Sequence, residues 1–381
     1  MYKVLLISLV NWDSLIEIPA LLKNGGCSVD IFSIKNSWAL QNKAFDNWIE
    51  ASNDQEEFVN QVLEFVAKNG DKYDWIIPGD DIIIRLLNER ITDEKEFYKI
   101  LPVTKIENRE LLGSKAGFSS LCTKYNIRTP RYMIYNESMT PAAIGDYMKY
   151  PFLMKVDKSE GGFGVFGCDD EASLVRNLAT VKNKEHLVFQ QFIQGYDINV
   201  EVLYKNGELM VYNYSKTLKI MGKFGVSTQR LFYQHRELET ELIKIGRDLG
   251  VSGFGNVVFM YSEPEKMHYL IEVDVRPNAW MYYGRFTGNN FSEAIKKVIK
   301  KDLTLLVPDP AFANKEIKIS LYKKDVYRCI MEKDFKGLFG WLLNKDRKWK
   351  YIPFYDGKLF AACNKYLFNS FWELLVHKVR K

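Results

Sequence analysis

With 381 residues, 47% hydrophobic and 27% charged, the chain exceeds what one ordinary core serves and reads as two or three packed subdomains. Lys and Arg number 53 against 48 Asp and Glu, an excess of +5 that is too small to imply nucleic acid as a partner. Cys27, Cys122, Cys168, Cys329 and Cys363 are scattered without a Cys-x-x-Cys pair, and His186, His235, His268 and His377 are equally dispersed. That pattern excludes a zinc-type cluster or a histidine-based triad and predicts reduced thiols in a cytoplasmic protein.

Val4–Val10 is an apolar run too short for a membrane span or a signal peptide, and is predicted to be a buried strand. A helix over 15–23, the Gly25-Gly26 break and a strand over 29–33 follow, and the pattern repeats with a helix over 58–68 and a strand over 75–78. Such alternation predicts a parallel sheet with covering helices, whose ligands sit beyond the carboxyl ends of the strands. Asp80 and Asp81 stand at such an end. They either line a substrate crevice or form a turn with a helix cap.

The spacing of Leu111, Phe118, Cys122 and Tyr125 predicts a helix over 108–125 capped by Asn108, with Lys115 on the same face. A lysine there either snorkels to solvent or points inward at an anion. A strand over 151–157 then places Leu153, Lys155 and Asp157 on one side. The glycines at 161, 162 and 164 let backbone amides approach a phosphate, and Lys155 adds positive charge. The segment is neither a Walker motif nor a dinucleotide fingerprint, and by itself is also compatible with a plain turn.

Strands are predicted over 188–193, 198–204 and 209–214, the last two joined by an Asn206-Gly207 hairpin turn. A helix over 237–249 closes with Gly250, strands over 255–261 and 269–275 form a hairpin around Pro264, and a helix covers 291–300. In the second of those strands, alternation sends Tyr269, Ile271, Val273 and Val275 to the core and Leu270, Glu272, Asp274 and Arg276 to the other face. Same-face neighbours lie roughly 6.6 Å apart, so both carboxylates reach one metal–phosphate cluster, or simply share an exposed face with a local salt bridge. Beyond Pro308 comes a basic, aromatic extension holding Trp341, Trp349, Phe354 and Trp372. It is expected either to pack as a helix on the main body or to touch a membrane peripherally.

The order Lys115, Lys155, the glycine turn, Val188–Gly195 and Glu272-Val-Asp-Val-Arg276 resembles the ATP-grasp superfamily of carboxylate–amine ligases, over about residues 1 to 305 and nearest its carbamoyl-phosphate-synthase-like branch. The resemblance implies a mixed α/β and α+β architecture. An N-terminal parallel-sheet (pre-ATP-grasp) domain would span 1–105, a small lobe with a glycine-rich lid 106–187, a large lobe with the metal-binding strand 188–305, and the extension 306–381. It further implies that Lys115 and Lys155 contact ATP phosphates and that Ser159, Gly161, Gly162 and Gly164 fold over them. Gln190, Gln191, Phe192 and Ile193 would serve adenine, and Asp197 or Gln191 the ribose. Glu272 and Asp274 would bind Mg2+, with Mn2+ as a substitute, while Arg276 and Lys155 face the transferred phosphoryl group.

Two departures accompany the resemblance. The family's Glu-x-Asn-x-Arg has become Glu272-x-Asp274-x-Arg276, and the carboxylate or glutamine of the preceding strand corresponds to Val258, with Asn256 two residues earlier as partial compensation. The implied reaction phosphorylates a substrate carboxylate with ATP so that an amine can attack the acyl phosphate. The alternative is a non-catalytic ATP-binding protein with a degenerate metal site. Lys219, Lys223, Arg230 and Arg285 are candidates for holding the substrate carboxylate, since arginine grips one with two parallel hydrogen bonds. Small-molecule carboxylate and amine partners are expected, with no nucleic acid and no integral membrane segment.

Overall fold

The computed structural model describes residues 1–159, 164–222 and 225–379, with side chains up to residue 374. Strand β1 (Tyr2–Ser8) is buried without interruption from Val4 to Ser8, the signature of a strand covered on both faces. It pairs in parallel with β2 (Cys27–Ser33) and β4 (Trp75–Pro78), and β2 pairs with β3 (Asn47–Glu50), giving the order β3-β2-β1-β4. Helices α1 (Ile18–Asn24), α2 (Gln55–Asn69), α3 (Asp81–Arg90) and α4 (Glu94–Ile100) complete the expected parallel α/β unit. β1 stops at Ser8 rather than Val10 because the Leu9 and Val10 N–H groups leave the ladder and donate to the Asp80 carboxylate, at 3.0 and 3.3 Å.

The expected helix over 108–125 is two elements. A 3-10 helix covers Ile106–Leu111, Gly113 breaks the chain at φ +98°, and α5 runs over Lys115–Lys124. Ser114, not Asn108, is the cap, its hydroxyl accepting from Gly117 N–H at 2.9 Å. Asn108 is buried instead, and its amide holds the Asp248 and Leu249 carbonyls.

A small antiparallel sheet follows, built from β5 (Tyr132–Ile134), β6 (Phe152–Lys155), β7 (Val165–Cys168) and β8 (Val188–Gln191) in the order β5-β8-β6-β7. Helices α6 (Pro141–Met148) and α7 (Glu171–Thr180) cover it, and Ile144, Phe152, Met154, Leu174 and Phe189 form its own core.

The large antiparallel sheet has β9 (Gly195–Lys205), β10 (Glu208–Ile220), β11 (Ser227–Phe232), β12 (Gly253–Ser262), β13 (Met267–Asp274) and β14 (Ile317–Ser320), ordered β13-β12-β9-β10-β11-β14. Asn206 (φ 53°) and Gly207 (φ 83°) make the two-residue turn between β9 and β10, both in the left-handed region such a tight hairpin requires. Ile198, Val200, Val202, Val257 and Phe259 on one face share a core with Leu5 and Phe58 of the N-terminal unit and with α8 (Glu239–Leu249). The other face buries Asn199, Glu201, Asn213, Arg230 and Asn256 beside the apolar Leu203 and Phe254, which belong to a second core. Helix α9 (Phe291–Ile299) packs against α1.

The C-terminal extension is part of this body. Its β14 pairs with β11 as the sheet edge, followed by α10 (Tyr322–Met331), α11 (Phe335–Leu342) and α12 (Gly357–Val379). Trp341 is buried and its indole N–H donates to Asp325 at 2.8 Å, while Leu359 and Cys363 of α12 pack on Ile16. Among the described residues no helix is long and apolar enough to cross a membrane.

Candidate nucleotide and metal site

Strand β13 departs from strict alternation once. Val258 pairs with Glu272 and Phe259 with Leu270, which leaves Ile271 as an extra, unpaired residue, a β-bulge. The bulge shifts the phase of the strand. Leu270 is fully buried in the core, Tyr269 is only half-buried, and Ile271 lines the cleft beside Glu272. The expected faces therefore hold for Glu272, Val273, Asp274, Val275 and Arg276 and fail for Tyr269, Leu270 and Ile271, because an inserted residue reverses every side chain on one side of it.

The cleft, of about 310 Å³, lies between the two antiparallel sheets and the end of β4. Lys115 lines it from α5, and Lys155, Ser159 and Gln190 line it from the small sheet, which includes β8 and so runs past the boundary expected at 187. Glu272, Asp274 and Arg276 line it from β13 and its end, and Asp81 from the start of α3. Arg276 places its Nε 2.6 Å from Asp81 Oδ2 and its Nη2 3.4 Å from Asp274 Oδ2. Burial opposes the guanidinium charge, but Asp81 and Asp274 outweigh it and hold the proton more tightly than usual. Asp274 is pushed well above the ordinary carboxylate range by burial and by the neighbouring Glu272 carboxylate.

Two adjacent carboxylates, one strongly desolvated, form an arrangement that a divalent cation would relieve. Among the described residues no three acidic, histidine or cysteine side chains gather to hold a metal by themselves. Glu272 and Asp274 thus suit Mg2+, which completes its shell with phosphate oxygens and water rather than with a full protein cage. The register also locates the departure noted in the sequence: Val258 lies directly opposite Glu272, and Asn256 opposite Asp274. The Asn256 side-chain oxygen is buried without a partner.

Lys155 ends β6 and is only 9% exposed. Burial lowers its pKa from 10.5 to about 8, with Glu272 opposing the shift and Lys115 adding to it. Lys115 is the first residue of α5, so it does not sit within an apolar stripe. Its ammonium turns inward to the Asp157 carbonyl (2.8 Å) and to the Ser159 hydroxyl (3.2 Å) and carbonyl. The buried Asp157 carboxylate accepts from Ser114 Oγ and, at 2.8 Å, from Ala116 N–H, fixing the helix start against the end of β6. A small lobe built this way presents two ammonium groups to one space.

The glycine turn connects β6 to β7. Val156 N–H donates to the Gly164 carbonyl at 2.8 Å, and Gly164 has φ +80°, with an ideal Cβ only 2.9 Å from Ser159 Oγ. Gly161 and Gly162, expected over the phosphates, lie outside the described residues, as does Lys223.

Of the residues expected at the hinge, only Gln190 lines the cleft. The Gln191 side chain accepts from Arg131 N–H (3.3 Å), Phe192 is half exposed, and Ile193 is buried. Asp197 accepts from Thr217 Oγ1 (2.6 Å) and Asn199 Nδ2 (2.8 Å) and does not line the cleft.

The two arginines expected to grip substrate are otherwise engaged. Arg230 is buried against Glu201 and donates to Asn199 Oδ1 (3.0 Å) and Ser227 Oγ (2.8 Å), with its guanidinium 4.6 Å from the Trp280 ring. That fork is already filled. Arg285 packs over Tyr282 at 4.0 Å and Phe286 at 4.6 Å, outside the cleft lining. Lys219 stands on the exposed end of β10.

The sequence reading missed the apolar walls Leu111, Phe118, Val188 and Ile271, for which no local signal distinguishes a cleft wall from core. The Asp80-Asp81 pair divides between a helix cap and the cleft lining. Asp80 caps α3 through Ile83 N–H (2.9 Å), and burial raises its pKa to about 6 against three backbone N–H bonds. Asp81 faces the cleft.

Comparison with known proteins covers the same region. Residues 114–279 match the model of the carbamoyl-phosphate synthase L chain, ATP-binding domain. The matched segment begins at Ser114 and encloses both lysines, the glycine turn and Glu272-Val-Asp-Val-Arg276. Over this segment, 166 of the 381 residues, the chain is similar to that ATP-binding domain.

The carbamoyl-phosphate synthase of Methanobrevibacter smithii is 24% identical over 207 residues, 51% of this chain and 54% of that protein, so the chain spans about half the length of this relative. The ADP-bound N5-carboxyaminoimidazole synthetase of Staphylococcus aureus superposes with a TM-score of 0.64 at 13% identity, covering 88% of this chain and 86% of that one. The biotin carboxylase domain of Hydrogenobacter thermophilus 2-oxoglutarate carboxylase, complexed with MgADP, ADP and bicarbonate, gives 0.60 at 17% identity, covering 80% and 71%. These likenesses show a shared fold.

Proposed function

We propose that the chain is an ATP- and Mg2+-dependent ligase that activates a small-molecule carboxylate as its acyl phosphate and joins it to an amine. One observation carries the reading: Lys115 and Lys155 from the small lobe and Glu272, Asp274 and Arg276 from the large sheet converge on one cleft. Phosphoryl transfer asks a protein mainly to align the reactants and offset charge on the moving group, and these residues supply both without a side-chain nucleophile. Glu272 and Asp274 would hold Mg2+, or Mn2+ in its place, against the phosphates. Lys155 offers its charge from a desolvated strand end, where an ion pair is worth more than in water. Asp81, at the carboxyl end of the parallel sheet, marks the side from which substrate enters. Five free, buried cysteines support a reducing compartment such as the cytoplasm.

A second reading, a non-catalytic ATP-binding protein, draws its support from Val258 standing opposite Glu272. An ADP-release screen pairing amino acids and small carboxylates with amines, with Mg2+ varied, separates the two. Substrate-dependent ADP release that Lys155→Ala abolishes supports the ligase. ATP binding without turnover across the screen supports the second reading, and undetectable ATP binding by calorimetry sinks both.

A further inference from the structure

The net charge of the chain is unevenly placed. Residues 331–381 hold eleven Lys and Arg against five Asp and Glu, whereas residues 1–330 hold 42 against 43. The whole basic excess therefore sits in the C-terminal extension and none of it in the ATP-grasp body. The same extension turns apolar groups to solvent. On α11, Phe335, Phe339 and Leu342 are spaced i, i+4, i+7, the stripe that normally faces a core, yet they and Leu343 are 60 to 77% exposed. The helix is held from its other side by Trp341, which is buried against Tyr322 and Asp325. Lys336 flanks the stripe, and Lys333, Lys345 and Arg347 stand exposed at its two ends, while the acidic residues there pair with other cations, Glu332 and Asp334 with Arg328 and Asp346 with Lys318. A similar pattern recurs on α12, where Phe368, Phe371 and Trp372 are exposed near Lys365 while Leu359, Cys363 and Leu367 are buried.

We propose that α11 is a membrane-surface anchor that seats Phe335, Phe339, Leu342 and Leu343 among the acyl chains of an anionic lipid surface, with Lys336 and Lys345 at the headgroups. Exposed aromatic and leucine side chains flanked by lysine suit the interface plane of a bilayer, where apolar burial and attraction to anionic headgroups add. A stripe that is apolar only would equally suit a second copy of the chain. The basic flank decides for lipid, because two copies would bring like charges together.

Flotation of the full chain with phosphatidylcholine vesicles, with and without phosphatidylglycerol, tests this. Binding should need phosphatidylglycerol, weaken with added salt, and fall by about tenfold or more in Lys336→Glu/Lys345→Glu and again in Phe339→Asp/Leu343→Asp. Both variants change exposed side chains and should keep the wild-type melting temperature and ATP affinity. Absence of flotation, equal binding to neutral vesicles, or variants that bind as well as the wild type would overturn the proposal. So would a concentration-dependent dimer in sedimentation equilibrium that Phe339→Asp/Leu343→Asp dissociates, since a second copy would then cover the stripe.

Discussion

Arg276, just past β13, and Asp81, at the first turn of α3, meet at 2.6 Å and join the large sheet to the N-terminal unit across the cleft. Both are mostly buried, with side chains 16% and 23% exposed, so the pair is desolvated enough to matter. Asp81→Asn should lower unfolding free energy by about 1–3 kcal/mol, the range for leaving a buried donor unsatisfied, since Arg276 keeps Asp274. Urea unfolding measures it, and an unchanged midpoint would mean that water replaces the aspartate without cost. The freed guanidinium should also loosen the cleft and slow substrate-dependent ADP release.

Lys155 gives opposite pH trends for stability and for binding. Its pKa in the folded chain is about 8 against an ordinary 10.5. Between those values the unfolded chain keeps a proton that the folded chain has lost, so this group's contribution to stability rises with pH through the window. Below about pH 8 both states are protonated and the full cost of burying the charge is present. ATP needs the protonated form, so its affinity should fall as pH passes about 8. Lys155→Met should remove both trends and weaken ATP binding by about 10- to 100-fold, the worth of one charge-assisted hydrogen bond. Calorimetric titration across that pH range follows both forms.

Val258→Glu restores a carboxylate directly opposite Glu272, where cross-strand Cβ atoms lie about 4.5–5.5 Å apart. If the cleft turns over with a depleted metal shell, Mn2+ binding in the presence of ATP should tighten by roughly tenfold or more, at least the effect of changing one group in a metal's outer shell. Electron paramagnetic resonance counts the bound ions directly. Unchanged stoichiometry and affinity would show that Val258 is a packing residue with no bearing on the metal.

Gly250 ends α8 in the left-handed region at φ +74°, and an added Cβ would lie 2.9 Å from the Lys105 side chain. Gly250→Ala should cost about 1–2 kcal/mol, combining the left-handed penalty with the crowding. A fall in melting temperature with ATP affinity intact is the expected result, since the position is remote from the cleft.

The local chemistry of this chain was legible from residues alone. Alternating β and α patterns predicted the parallel sheet, Asn206-Gly207 predicted its hairpin, Gly250 closed its helix, and the spacing of Glu272, Asp274 and Arg276 put three charges on one face. Turn and strand geometry are set within a few residues, so the sequence carries them directly. The errors share a different cause. The bulge at Ile271 depends on how β13 meets β12, and the break at Gly113 depends on Ser114 and Lys115 being drawn to Asp157 and Ser159.

Arg230 by its sequence position is a free carboxylate fork, but Glu201 and Asn199 hold it. Asp81 acquired its role only from an arginine in the opposite half of the chain. The sequence by itself determined which charged groups the chain carries and which share a strand face. Tertiary structure alone decided which were free, because burial forces each polar side chain to take whatever partner the packing brings within reach, and a single strand carries no record of that partner.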